Sequence, residues 1–210
     1  MKKSLIIGLV SLVTAVASSY GQGFINLDNY NQTGGIITYG ANVPANGVSG
    51  SFGTVGTGLV SGWTVGVYWA LGDITGSLND PAGNGTPSGL LTLGTGVGST
   101  AVMYDSSFGT PGQFLASDTF QVPGSTAGSV VTLELVCFSG SSYDTAAYRG
   151  HSTPFTLTTA AGTATTPAGV GPAFSTFAVT PVTPVPEPST LALAGLGGFG
   201  MLMALRRKKA

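Results

Sequence analysis

Trp63-Thr64-Val65-Gly66-Val67-Tyr68-Trp69-Ala70-Leu71 is the stretch that decides the fold class. Trp63, Val65, Val67, Trp69 and Leu71 alternate with Thr64, Gly66, Tyr68 and Ala70. A period of two places the first set on one side of a strand and the second on the other. Trp63 and Trp69 share their side with Val65 and Val67, so they read as core residues, and Tyr68 faces the opposite way. Val130 to Phe138 repeats the pattern with Val131, Leu133, Leu135 and Cys137 on one side. Its other side carries Val130, Val136 and Phe138 beside Thr132 and Glu134, which predicts a strand covered on both faces.

Working outward, shorter strands are expected at Phe24 to Asp28, Ile36 to Tyr39, Leu90 to Leu93 and Ala101 to Tyr104. Thr119 to Val122, Phe155 to Thr159 and Phe174 to Val179 complete the set. Turn-rich stretches separate them, and no window holds an apolar period of 3.6. The composition agrees, with 34 Gly and only 7% charged residues. An all-β body over residues 23–180 follows, an antiparallel sandwich or barrel.

The charge sits at the ends. Lys2, Lys3, Arg206, Arg207, Lys208 and Lys209 leave Arg149 as the one basic residue between them. Against Arg149 stand Asp28, Asp73, Asp80, Asp105, Asp118, Glu134 and Asp144, a formal charge of −6 for the middle. A body this acidic cannot neutralise phosphates, which excludes nucleic acid as a partner.

Residues 1–22 have the parts of a secretory signal peptide. Lys2 and Lys3 precede an apolar run from Leu5 to Val16, and small residues including Ala15 and Ala17 follow. That run rises roughly 18 Å as a helix, short of the roughly 30 Å hydrocarbon core, so a cleaved signal is expected over a permanent anchor. The other end mirrors it. A Pro-spaced linker with a Pro-Glu-Pro motif occupies 181–190, an apolar run 191–205, and a basic tail 206–210. The basic cluster Arg206, Arg207, Lys208 and Lys209 would stay cytoplasmic and hold the body outside. Fifteen residues span about 22 Å as a transmembrane helix, and Gly195, Gly197, Gly198 and Gly200 weaken it further. The anchor is marginal, as a temporary one should be.

Val185-Pro186-Glu187-Pro188-Ser189-Thr190, the apolar run and Arg206-Arg207-Lys208-Lys209 resemble the PEP-CTERM sorting domain of Gram-negative bacteria. The resemblance implies that an exosortase, a membrane-embedded transpeptidase-like enzyme, is the partner, with Pro186, Glu187 and Pro188 as recognition motif. It implies export through the inner membrane, transient anchoring, and delivery to the cell surface or an extracellular, exopolysaccharide-rich matrix. For the body it implies an antiparallel β-sandwich of jelly-roll-like or Ig-like kind. The resulting expectation is a structural surface or biofilm-associated protein, with a carbohydrate-binding module on the same route as the alternative.

Nothing in the middle assembles into an active site, and no enzyme is expected. His151 is the one histidine and reads as a loop residue approaching the Phe155 strand. With one His and one Cys the sequence falls short of a His/Cys zinc set, and no metal or cofactor is expected. Asn79 to Gly85 has oxygen ligands at close spacing but lacks the EF-hand order, so a hairpin turn is expected there. Gly94 to Gly98 lacks the Lys and helix of a phosphate loop. Cys137 reads as a small buried hydrophobe. Tyr68, on the outward side of its strand, is the candidate for stacking on a sugar ring.

Overall fold

The structure is a computed structural model that describes residues 21–30, 32–104, 110–162, 167 and 169–182. Of the expected signal segment at 1–22, residues 1–20 lie outside the described residues. So do Pro186, Glu187, Pro188, the 191–205 run and the basic cluster.

The described residues are all β, with one 3-10 turn at Thr75–Ser77. In chain order the strands are β1 (Gln22–Ile25), β2 (Ile37–Tyr39), β3 (Thr64–Leu71), β4 (Thr92–Leu93), β5 (Thr100–Met103) and β6 (Phe114–Leu115). There follow β7 (Phe120–Thr126), β8 (Val130–Phe138), β9 (Tyr148–His151), β10 (Phe155–Thr158), β11 (Ala160–Ala161) and β12 (Phe177–Pro181). One sheet has the order β11-β1-β7. The larger runs β2-β12-β9-β8-β3-β5-β6, with β10 also on β8 and β4 also on β3.

The β3–β8 pair is the axis of the molecule, in register from Thr64↔Phe138 to Leu71↔Val131. Its alternation puts Val65, Val67, Leu133, Leu135 and Cys137 at zero exposure in one core, with Trp63 at 2%. Ile25, Phe120 and Val122, from the smaller sheet, enter that same core. Each fully buried Leu or Val contributes about 1.5–3 kcal/mol relative to exposure, so this face holds the fold together. Trp69 is half-buried against the core, as its side of the strand predicts.

The other face of β8 is covered as well. Val136 and Phe138 pack with Tyr143 and Ala146 from the loop after the strand, and Tyr68 leans on this second cluster. Phe138 and Tyr143 meet edge to face at 6.2 Å.

Three features depart from the sequence reading. The larger sheet is mixed, because β12 pairs with β2 in parallel from Phe177↔Ile37 to Val179↔Tyr39. The two strands come from opposite ends of the body, so no hairpin imposes antiparallel pairing. His151 is a strand residue, the last of β9, paired with Val136. The intervening Gly150 lets β12 approach, since a Cβ there would sit 2.3 Å from the Ala178 carbonyl oxygen. Finally, β12 runs through Pro181, the first residue of the expected linker, and the Val182 amide donates to the Ala147 carbonyl at 2.8 Å.

Candidate functional site

Register brings together two residues that the sequence leaves far apart. His151 pairs with Val136, and Glu134 lies two residues before Val136 on the same face of β8. The two side chains are therefore diagonal neighbours, close enough for long groups to touch. Ser152 fixes the spacing: its amide donates to the Leu135 carbonyl at 2.9 Å, and its Oγ accepts from the Leu135 amide at 3.0 Å.

A strap formed by residues 79–85 closes over them. Gly83 and His151 exchange backbone hydrogen bonds of 3.2 and 2.7 Å. The Tyr143 hydroxyl donates to the Gly85 carbonyl at 2.8 Å, and Arg149 Nε donates to the Asn84 carbonyl at 2.9 Å. Asn84 Nδ2 in turn donates to the Pro181 carbonyl at 2.9 Å. The strap is thus sewn to β9, β12 and the Tyr143 loop, and it carries Asp80 to the imidazole. Asp80 Oδ1 lies 3.9 Å from His151 Nε2.

The result is a sealed polar cluster. Glu134 is at zero exposure and His151 at 2%, while Asp80 keeps 16% of its side chain exposed. His151 Nδ1 lies 3.1 Å from the Ser152 carbonyl oxygen and 2.8 Å from Glu134 Oε1. A carbonyl can only accept, so Nδ1 carries the proton and Nε2 faces the strap. The Glu134 approach is a close charge contact without hydrogen-bond alignment, and neither Glu134 oxygen receives a hydrogen bond. Asp80, Glu134 and His151 each offer a ligand atom within 4.8 Å of the others, the geometry of a possible metal-holding group.

Burial raises the Glu134 carboxyl above its ordinary range, and His151 pulls it part of the way back. For His151, burial favours the neutral ring, but Glu134, the Ser152 carbonyl and Asp80 together outweigh it. The net direction is upward. Both shifts have one sense: the cluster holds its proton more tightly than the separate groups would.

Other candidates keep structural roles. Cys137 is fully buried, and burial pushes its thiol up, away from reactive thiolate. Arg149 lies over the Tyr143 ring at 4.8 Å and donates to the Tyr143 and Asp144 carbonyls at 2.9 and 3.0 Å. It is a clamp for backbone rather than a partner for Glu134. Tyr68 is half-buried, its hydroxyl held above the usual phenol range first by burial and then by Asp144 and Glu134.

Sequence reasoning placed Glu134 on the outer face and left His151 and Asp80 in separate loops. The available signal was Glu134 itself, the sole charge in the most apolar strand, because a buried carboxylate requires a partner.

At the C-terminus the deciding observation is a match to the family model of the PEP-CTERM protein-sorting motif, over residues 184–208. The chain ends in a PEP-CTERM sorting motif. The PEP-CTERM match takes in Pro186, Glu187 and Pro188, the apolar run, and Arg206, Arg207 and Lys208. It stops short of the β body, for which no curated protein and no solved structure matches. Among the described residues no helix is long and apolar enough to cross a membrane. The PEP-CTERM run lies outside them.

Proposed function

We propose that this chain is an exported PEP-CTERM protein whose tail holds it in the inner membrane of a Gram-negative-type cell until an exosortase processes it. Its body then serves as a structural component of the cell surface or exopolysaccharide matrix. The observation that carries the reading is the sorting-motif match at residues 184–208, behind a body with one internal base and seven acids. The short apolar run and its glycines support a temporary tether, because each glycine weakens the helix by up to about 1 kcal/mol.

We read the body as a β-sandwich, supported by the shared core of its two sheets. We read it as non-enzymatic, supported by the sealing of its polar cluster: Glu134 and His151 have almost no exposure to offer a substrate. The structural role takes precedence over carbohydrate binding because Tyr68 uses much of its ring on the outer cluster.

The test is the intact mass of the protein recovered from the cell surface. Processing predicts a C-terminus near Pro188, with or without an added group. A mass that retains Leu191 to Ala210 sinks the exosortase reading and leaves a tail-anchored protein.

A further inference from the structure

We propose that Asp80, Glu134 and His151 form a site for a divalent first-row transition metal of the zinc type, pinning the 79–85 strap to the sheet. This goes beyond the sorting role and rests on the body alone. Three observations carry it. Each residue brings one ligand atom to within 4.8 Å of the other two. Glu134 is wholly buried, yet neither of its oxygens receives a hydrogen bond, and Oε1 lies against the His151 ring. Its one close compensation is His151 Nδ1 at 2.8 Å, out of hydrogen-bond alignment, and a cation would supply the contacts that both oxygens still lack. Third, the Ser152 carbonyl, 3.1 Å from Nδ1, holds the ring proton there. That leaves the Nε2 lone pair toward Asp80, as in metal-bound imidazoles whose other nitrogen donates to a backbone carbonyl. Glu134, now 2.8 Å from Nδ1, would turn toward Nε2 to reach the ion.

Charge selects the ion's valence. With a protonated imidazole the cluster carries two negative charges against one positive. A divalent ion with a neutral imidazole balances both carboxylates. Donor chemistry narrows the choice: one imidazole nitrogen with carboxylate oxygens suits zinc, whereas calcium is served by oxygens alone. Donors about 2.0–2.2 Å from a tetrahedral ion stand about 3.4 Å apart, so the ligand atoms, now within 4.8 Å of one another, must close in by up to about 1.4 Å. Asp80, part exposed on the strap, is the donor with room to move. A fourth position remains for a strap carbonyl or a water; the burial of Glu134 and His151, and not the number of ligands, marks the site as structural.

The experiment uses the untagged full chain in detergent, stripped with chelator, titrated with zinc chloride and assayed by bound-metal analysis and thermal unfolding. We expect one zinc per chain retained through gel filtration, and an unfolding midpoint raised by roughly 5 °C at saturation. Asp80→Asn, isosteric and on the part-exposed strap, should still fold without metal and lose at least about tenfold in zinc affinity. Glu134→Gln should lose as much. The proposal is overturned if the wild type retains no zinc and its midpoint does not move. It is equally overturned if Asp80→Asn binds zinc as the wild type does, because surface carboxylates then account for the metal. Should Glu134→Gln fail to fold, Asp80→Asn decides alone.

Discussion

From Val131 to Phe138 both faces of β8 are buried, and they differ in what they bury. On one face Val131, Leu133, Leu135 and Cys137 meet only apolar neighbours in the main core. On the other, Thr132 and Glu134 sit among groups that must be hydrogen-bonded or charge-paired. The Thr132 hydroxyl donates to the Gly72 carbonyl at 2.8 Å and accepts from the Ile74 amide at 2.9 Å. The apolar face needs only shape, and any fold that brings oily residues together satisfies it. The polar face needs particular partners in particular places, so it depends on register and on the strap. Burial alone therefore says little about how a face will fail.

The comparison can be broken most sharply at the polar face. In chelator, His151→Ala leaves Glu134 buried beside nothing but Asp80, and a loss of about 4 kcal/mol in unfolding free energy is expected. That loss should shrink as the pH is lowered, because protonating Glu134 removes the stranded charge. Urea titrations at several pH values measure both effects, and a pH-independent loss would contradict this account.

Leu135→Ala probes the apolar face. It should cost about 3 kcal/mol through lost transfer energy and a residual cavity. Unlike His151→Ala, it should cost the same at every pH, because no titrating group changes its surroundings. A loss that varied with pH as steeply as that of His151→Ala would erase the distinction between the faces.

The smallest effect is the pH dependence of the unaltered, metal-free protein. His151 is raised from 6.5, so its contribution is fully present below that value and is lost as pH rises through the folded value. Glu134 is raised from 4.5, so its burial is tolerated in acid and becomes costly as pH climbs. Asp80 and the Ser152 carbonyl face the imidazole, and Tyr143 and Tyr68 lie within the carboxylate's field. None of these reverses the direction. The urea midpoint should fall steadily between about pH 5 and pH 8, and a rise over that window would reverse the sign assigned to the cluster.

The apolar face was legible in the sequence because strand periodicity reports a pattern that neighbouring residues share. β3 and β8 could be read residue by residue. β9 could not: Tyr148-Arg149-Gly150-His151 shows no alternation, since Gly150 yields to the Ala178 carbonyl and Arg149 reaches for backbone oxygens. Two-residue strands such as β6 and β11 carry too few positions for any period. The polar cluster draws on Asp80, Glu134 and His151 from a strap and two strands, and only strand order places them side by side. Counting histidines and cysteines missed it for a chemical reason as well, because carboxylates are ligands too.

The place of β12 in the sheet bears on what happens when the tail is pulled. The strand that leads into the Pro-spaced segment is flanked by β2 and β9, and Asn84 grips the Pro181 carbonyl. The ladder bonds lie across the strand direction, so tension along the chain from the tail would load them side by side in shear. They cannot open one at a time, as an edge strand peeled from its end would. On the proposed tether, the body would hang from its own C-terminal strand, with the strap bonded to that strand through Asn84 and the Pro181 carbonyl.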